Sequence, residues 1–191
     1  MTIIEFSRNL KATGEQTAEL MRRQMPAIAG QMAVSHFREN FHKSGFVNNS
    51  FHPWQKAKRE GNKKGAAGEY KTLLSGSANL YNQVKYIPGD YSVLIKNYAP
   101  YAAIHNEGGI IPVTDKMKRY GWYKFYLTLG HKKGDKMPKS IPEEAEQWRR
   151  LALTKKSKII MPKRQFIGES KELNDKLTNK LDLELEKIWN L

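Results

Sequence analysis

The spacing of leucines near the carboxyl end constrains the fold more than any other feature of this chain. Apolar residues recur there at steps of three or four, at Leu173, Leu177, Leu181, Leu185 and Ile188. This period matches an α-helix with one apolar stripe, and the stripe has to pack against another part of the chain. The sequence therefore predicts an amphipathic helix over about residues 169–189 that packs on the rest of the protein.

Two more helices are predicted in the first part of the chain. Residues 7–21 carry a weak helical pattern, whereas residues 22–43 carry a broad apolar stripe. Pro26 suits the first turn of the second helix, where its missing N–H costs nothing. Gly45 follows as the residue expected to end that helix.

A loop is predicted over residues 46–68, because turn-forming and polar residues dominate there. Trp54 lies within this polar stretch and is expected to anchor the loop to the body of the protein. The glycine-rich run at 61–68 lacks the Gly-Lys-Ser/Thr ending of a phosphate-binding loop, so a mobile loop is predicted instead. Residues 73–80 indicate a short helix or turn.

A β-hairpin is predicted next, because residues 82–87 alternate, a turn follows at 88–90, and residues 91–97 resume the strand pattern. A short helical turn is expected after Pro100, ended by Gly108 and Gly109.

A helix, a loop and a second helix are predicted beyond the hairpin. The first helix covers residues 114–129, with Thr114 or Asp115 as its cap, and a basic loop follows at 130–140. The second helix opens at Pro142, and residues 158–161 suit a short strand. Aromatic side chains of the first helix are expected to pack on one face, with base stacking as their secondary use: Tyr120, Trp122, Tyr123, Phe125 and Tyr126.

These elements together predict an α+β fold with long N- and C-terminal helices packed on a small, mainly antiparallel sheet. The length of 191 residues favours a single domain spanning residues 1–191. No run of about 18 apolar residues occurs, and no basic leader precedes an apolar stretch, so neither a membrane helix nor a secretory signal is expected.

Positive charge is concentrated in one stretch of the chain. The formal net charge is +14, and residues 115–164 hold 15 Lys and Arg against 5 Asp and Glu. A basic surface attracts polyanions, although such a surface also serves simply to keep a protein soluble. The candidates for contact with a partner or a polyanion are Lys116, Lys118, Arg119, Lys132, Lys133, Arg149, Arg150, Lys155, Lys156 and Arg164.

Residues that carry catalysis are not arranged in any pattern known to support it. The chain contains no cysteine, which excludes disulfides, thiolate zinc sites, iron–sulfur clusters and cysteine nucleophiles. Its five histidines form no zinc-helix motif, and no serine stands in a nucleophile elbow. Glu143 and Glu146 share a helical face, where the helix dipole accounts for them. The sequence thus predicts no catalytic residues, no metal site and no cofactor.

Four short motifs follow one another along the chain in an order that resembles that of a known family. Pro53-Trp54 follows a helix, Leu74-Ser75-Gly76 precedes the hairpin, and Tyr101-Ala102-Ala103-Ile104-His105-Asn106-Glu107-Gly108 comes after it. Pro162-Lys163-Arg164-Gln165-Phe166-Ile167-Gly168 then leads into the last helix. In this order and over most of the chain, the sequence resembles the phage virion morphogenesis family, which includes tail completion proteins of contractile-tailed phages.

The chain departs from the family pattern in two places. Residues 110–158 look like a long insertion between the two later motifs, and they contain most of the basic residues. The Pro53-Trp54 loop also lacks the Asp-Gly step that the family often shows there.

The motif residues have a structural interpretation. Gly108 permits a sharp turn with positive φ, and Tyr101 and His105, four residues apart, share a helical face. The His105 side chain is expected to bond a backbone carbonyl rather than a metal. The Arg164 guanidinium is expected to form a bidentate hydrogen bond to a carboxylate, which would tie its segment to the body or to a neighbouring subunit. Further structural positions are Trp54, Gly76, Pro162 and Phe166, the last of which begins the apolar seam of the final helix.

The resemblance implies a non-enzymatic assembly protein at the head–tail junction, acting in tail completion. It would form a homo-oligomeric ring of about six copies and contact other phage neck or tail proteins, with no membrane partner. It would be assembled in the bacterial host cytoplasm and reside in the virion. The basic segment would reach an acidic protein surface or DNA. The alternative from the residues alone is a nucleic-acid-binding protein that uses residues 115–164.

Overall fold

The computed structural model describes residues 2–57, 60 and 69–189. In chain order the elements are α1 (Ile3–Glu19), a π-helical turn (Leu20–Gln24), α2 (Met25–Lys43), β1 (Gly45–Val47), β2 (Phe51–Pro53), α3 (Asn79–Asn82), β3 (Val84–Gly89), β4 (Ser92–Asn97), α4 (Ala102–Glu107), β5 (Gly109–Pro112), α5 (Asp115–Leu129), α6 (Glu143–Ala152), β6 (Lys158–Met161) and α7 (Lys171–Trp189). The predicted α+β class is confirmed. The glycine-rich run at 61–68 lies outside the described residues.

The strands pair as antiparallel ribbons. Within the described ranges they form three separate two-stranded ribbons, β1–β2, β3–β4 and β5–β6, where one small sheet was expected. The predicted hairpin is the second ribbon, in which Val84 pairs with Asn97 and Gly89 with Ser92. Its turn consists of Asp90 and Tyr91 instead of the predicted residues 88–90, because Pro88 and Gly89 still belong to β3.

The first helix begins earlier than predicted. Thr2 caps it, since the Thr2 hydroxyl accepts the Glu5 N–H (3.2 Å) and the Glu5 carboxylate accepts the Thr2 N–H (2.7 Å). This reciprocal arrangement is a capping box, which satisfies two N–H groups at a helix start. No residue of α1 is buried.

Helices α1 and α2 are continuous through the π-helical turn, and Pro26 explains why the turn is there. Proline has no N–H to donate to the carbonyl four residues earlier, which here belongs to Arg22. The Met25 N–H reaches back five residues to the Leu20 carbonyl, which widens the helix by one residue at this point. The Arg22 carbonyl accepts instead from the Tyr91 N–H at the hairpin tip (3.0 Å).

Side chains reinforce this junction between the helix and the hairpin. Asp90 accepts from the Arg22 guanidinium at 2.8 and 2.9 Å and lies 3.5 Å from Arg23 Nε. The Asp90 carboxylate raises the pKa of Arg22 above its ordinary value, first through the hydrogen bond and then through its charge. The hairpin tip therefore holds the π-helical turn in place.

The end of α2 differs from the prediction at one residue. Ser44, not Gly45, takes the left-handed conformation that ends the helix, with φ of 57°. Gly45 is the first residue of β1, where a Cβ would lie 2.3 Å from the Phe51 ring. The ribbon β1–β2 occupies the start of the predicted loop, and its short strands carry no alternation long enough to predict them.

The core lies between α2, the loops around it and the start of α7. Phe41 is its centre, with ring contacts to Trp54 and Phe166 at centroid distances of 5.6 and 5.1 Å. Val84 from the hairpin and Leu173 from α7 complete it. The predicted final helix is confirmed, because Ser170 caps α7 and the leucine stripe faces the body.

The basic stretch forms a projecting unit, called here the arm, which comprises residues 109–161. Its base is the ribbon β5–β6, in which Pro112 pairs with Lys158, so the two ends of the predicted insertion lie side by side. In chain order, α5 follows β5, and α6 precedes β6, which brings the chain back to the ribbon. Thr114 caps α5 as predicted, by accepting the Met117 N–H (3.2 Å).

The two helices of the arm pack closely on each other. A Cβ at Gly121 of α5 would lie 3.0 Å from the Trp148 carbonyl oxygen and 3.1 Å from the Ala152 nitrogen of α6. Phe125 is buried beside this contact, with Trp122 and Tyr126 against it. The predicted packing of these three aromatic residues is confirmed.

The junction at the π-helical turn yields a prediction. Asp90→Asn removes the charge that holds Arg22 and Arg23, so the amide protons of residues 20–25 are expected to exchange faster with solvent. Hydrogen exchange read by NMR or mass spectrometry measures this. Asp175→Asn is the control, because Asp175 is an exposed carboxylate paired with one lysine (3.6 Å). Equal exchange at residues 20–25 in both variants would contradict the role given to Asp90.

Candidate functional site

The two later motifs of the sequence meet at one place in the fold. The Arg164 N–H donates to the His105 carbonyl (2.9 Å). The Asn106 side-chain oxygen accepts from the N–H groups of Phe166 (2.9 Å) and Ile167 (3.0 Å). These hydrogen bonds join two segments that lie about 60 residues apart in the chain, and the arm is the part of the chain between them.

Gly108 makes this junction possible. Its φ of 73° with ψ of −175° lies in a region that only glycine occupies readily. A Cβ at this position would also lie 2.7 Å from the backbone nitrogen of Lys163. The expectation of positive φ at Gly108 is confirmed, and the close approach of a second segment adds a further reason for glycine.

Trp54 ties a third segment to the same junction. Its indole N–H donates to the Gln165 carbonyl (2.7 Å), and its ring packs against Phe41. Arg164 Nε donates to the Gln55 carbonyl (2.8 Å). The expectation that Trp54 anchors its loop is therefore confirmed.

Phe166 is the point where the junction enters the core. Its ring is buried against Phe41, and its carbonyl accepts from the Asn40 side chain (3.3 Å). Asn40 also accepts the Val47 N–H (3.2 Å), so a single buried amide joins α2, β1 and the segment before α7. Buried amides that satisfy several backbone groups at once fix how their segments fit together.

A cleft of about 310 Å³ opens beside the junction. It is lined by Tyr101, His105 and Arg164, together with the turn that contains Leu74 and Ser75. Tyr101 and His105 share a face of α4 as predicted, with their rings edge to face at a centroid distance of 5.9 Å.

The other two predicted structural positions flank this region. Gly76 lies in the exposed turn after Ser75, where the Tyr70 hydroxyl would be 3.1 Å from a Cβ. Pro162 is half-buried directly after β6 and leads the chain into the junction.

His105 is the titratable group at the centre of the cleft. Its Nδ1 is buried and has no hydrogen-bond partner among the described residues, so the predicted bond to a backbone carbonyl is wrong. The ring packs against Tyr101 instead. Burial, and then the positive charge of Arg164, hold the pKa of His105 below its ordinary value. The lowered pKa favours the neutral form of the His105 imidazole.

The hydroxyl groups of the cleft are engaged elsewhere. Ser75 Oγ lies 3.1 Å from Ser77 Oγ, and the Thr72 hydroxyl bonds the Glu60 carboxylate. In the part of the chain that the structure describes, no serine or threonine hydroxyl is paired with His105. Among those same residues, no three His, Asp or Glu side chains come together as a metal site would require.

The structure places nine of the ten basic candidates on the arm. Lys116, Lys118 and Arg119 lie in the first turns of α5, and Lys132 and Lys133 lie in the loop after it. Arg149 and Arg150 lie on α6, and Lys155 and Lys156 lie between α6 and β6. Arg164 is the exception, because it is only 7% exposed and belongs to the junction. It is thereby separated from the other nine.

Acidic side chains offset part of the charge on α6. Arg149 lies 3.2 Å from Glu146, and Arg150 lies 3.7 Å from Glu143 and 3.8 Å from Glu146. The two glutamates were explained from the sequence by the helix dipole alone. Their pairing with the arginines is a second reason for their positions.

Asn40 and Asn106 are structural residues that the sequence analysis missed. Each uses one side-chain amide to satisfy backbone groups of distant segments, and no local pattern marks such a role. The position of Asn106 inside the Tyr101–Gly108 motif was the one available signal.

Comparison with known proteins gives no relative, since no family model, no curated protein and no solved structure matches the chain. Within the described ranges, each helix is too short or too polar to cross a bilayer.

Gly108→Ala is predicted to cost about 3 kcal/mol of unfolding free energy, because the backbone strain and the approach of Lys163 act together. Gly130→Ala is the matched control: φ there is 66°, but a Cβ would meet nothing within 4 Å. Only the backbone cost of about 1 kcal/mol is expected in the control. Denaturant unfolding measures both, and equal losses would contradict the close-approach argument.

A second prediction concerns pH. Burial holds the pKa of both His36 and His105 below the ordinary value. At mildly acidic pH the unfolded chain therefore binds more protons than the folded chain. The free energy of unfolding should therefore fall as pH drops from 7 towards 5, above the range in which carboxylates titrate. Urea unfolding at a series of pH values measures this slope. His105→Gln should reduce this slope, and the slope that remains is the contribution of His36; an unchanged slope in the variant would contradict the role given to His105.

Proposed function

We propose that the protein is a structural assembly protein of a phage particle, which acts in tail completion at the head–tail junction. The observation that carries this proposal is the meeting of the two motifs that resemble the phage virion morphogenesis family. Tyr101–Gly108 and Pro162–Gly168 bond to each other, and Trp54 bonds to the second of them. The shared motifs thus build a rigid body, as a protein that works by shape requires.

The first helix supports action through protein–protein contacts. Ile3, Ile4, Phe6 and Leu10 of α1 are all more than half exposed. An amphipathic helix with an uncovered apolar side is a feature of surfaces that bind other proteins. A ring of copies, with repeated contacts that close on themselves, is the assembly that the resemblance implies, at about six copies.

The partners in this proposal are other neck or tail proteins, and the place of action is the virion, after assembly in the host cytoplasm. The alternative, nucleic-acid binding through residues 115–164, uses the arm rather than the body. The two activities do not exclude each other, because the arm leaves the body only through the ribbon β5–β6.

Size-exclusion chromatography with light scattering measures the oligomeric state and so tests whether the protein forms a ring. The whole chain is expected to form a closed oligomer, alone or with tail tubes present. Phe6→Ser with Leu10→Ser is expected to shift it towards monomer without loss of stability, because both side chains are about half exposed. Leu94→Ser on β4, at a side chain that is 57% exposed, is the matched control.

A strict monomer at all concentrations, with tail tubes present as well, would contradict the proposal. So would the assembly of complete, infectious particles by a phage from which the gene for this chain has been deleted. Electron microscopy of that lysate is expected to show unjoined heads and tails, and supply of the protein in trans should restore whole particles.

A further inference from the structure

Among the described residues, most cations of the arm that form no ion pair lie at its two ends, and Lys124 lies between them on α5, with its Nζ 5.6 Å from the centroid of the Trp148 ring. Near the ribbon, where α5 begins and α6 has ended, the chain carries Lys116, Lys118, Arg119, Lys155, Lys156 and Lys158. The loop beyond α5 carries Lys132, Lys133, Lys136 and Lys139. In the described chain, none of these ten side chains forms an ion pair. The part of α5 beyond Arg119, residues 120–129, separates the two groups by about 15 Å.

The type of cation distinguishes between the possible partners. Arg149 and Arg150 pair with glutamates, so ten of the eleven arm cations that form no ion pair in the described chain are lysines. Lysine is depleted where proteins bind one another, whereas arginine is enriched there. Lysine binds phosphate as a point charge, and each such contact releases counterions from a nucleic acid. This composition favours a nucleic acid over an acidic protein surface.

Two tyrosines lie between the basic groups. Tyr120 and Tyr123 are 51% and 60% exposed, although Phe125 on the opposite side of α5 is buried. Their rings are inclined by only 38°, with centroids 6.2 Å apart, and Trp148 holds Tyr120 edge to face at 5.9 Å. Packing was predicted as the main role of these rings, and Tyr120 makes such a contact with Trp148, but more than half of each tyrosine remains exposed. Exposed rings beside free cations are what stacking of unpaired bases requires.

We infer that the arm binds single-stranded nucleic acid, with phosphates on the two lysine groups and bases against Tyr120 and Tyr123. A duplex fits less well, because its bases are already stacked on one another and leave the tyrosines without a partner. This activity goes beyond the proposed assembly function and does not depend on ring formation.

Fluorescence anisotropy with a labelled oligothymidylate tests the inference on the whole chain. Binding is expected at low salt, and the logarithm of the affinity should fall linearly with the logarithm of salt concentration. Tyr120→Ala and Tyr123→Ala should each weaken binding about ten-fold, since stacking on one ring gives a gain of that order. Thermal unfolding should be nearly unchanged in Tyr123→Ala, because Tyr123 is 60% exposed, whereas Tyr120→Ala also loses the ring contact with Trp148. Affinity for a hairpin duplex should be lower and insensitive to these two substitutions.

Charge variants test the phosphate contacts. Lys116→Gln, Arg119→Gln and Lys155→Gln together should weaken binding and reduce the salt slope by about 2. The control removes the same charge from the exposed side chains of α1 and α7, by Lys11→Gln, Lys171→Gln and Lys187→Gln. The control should leave the slope unchanged.

Four outcomes would overturn the inference. The first is no binding of oligothymidylate at low salt, and the second is an equal effect of the arm and control charge variants. The third is a duplex bound as tightly as the single strand, with the tyrosine variants unaffected. The fourth is displacement of the oligonucleotide by polyglutamate at equal charge concentration, which would assign the arm to an acidic protein. None of these outcomes bears on the ring, which light scattering measures separately.

Discussion

The Asn106 side-chain carbonyl is the contact on which the rest of the structure depends. It accepts two consecutive N–H groups, those of Phe166 and Ile167, which would otherwise lack partners at the edge of the core. With these bonds made, Phe166 reaches Phe41, and the chain enters α7 in the right direction for Leu173 to pack. Loss of this one acceptor would affect the core, the start of α7 and the base of the arm together.

The molecule divides its residues between two physical tasks. The body joins its segments with the side-chain amides of Asn40 and Asn106, an indole and a buried arginine, each bonded to backbone groups of distant segments. The arm has little such bonding to the body and presents lysines and tyrosines outward. Stability and surface chemistry therefore reside in different parts of the chain, and a change in one part need not alter the other.

Much of the fold was predictable because its helices carry their own periodic signal. The stripe of α7, the Thr114 cap and the alternation of the hairpin are local patterns, and each gave a correct element. Strand β5 was not predicted, because its four residues include a glycine and a proline. Its partner β6 comes only after α5 and α6 in the chain. The π-helical turn was missed for a similar reason, because the N–H group that bonds Arg22 comes from Tyr91.

The site was less predictable than the fold. Trp54, Gly108 and Phe166 could be assigned structural roles from residue type, and the contacts agree. His105 was assigned a hydrogen bond that it does not make, because sequence gives no measure of how burial isolates a ring nitrogen. Arg164 was grouped with surface cations by its place in a basic stretch, although the chain turns inward just before it.

The pairing of Pro112 with Lys158 has a consequence for how this chain could have arisen. Because the two strands leave the body next to each other, the segment between them begins and ends at almost the same point in space. A gene could gain or lose that segment in a single recombination event, with a short turn closing the gap. In either case the form without the segment is smaller and less basic, with the same core.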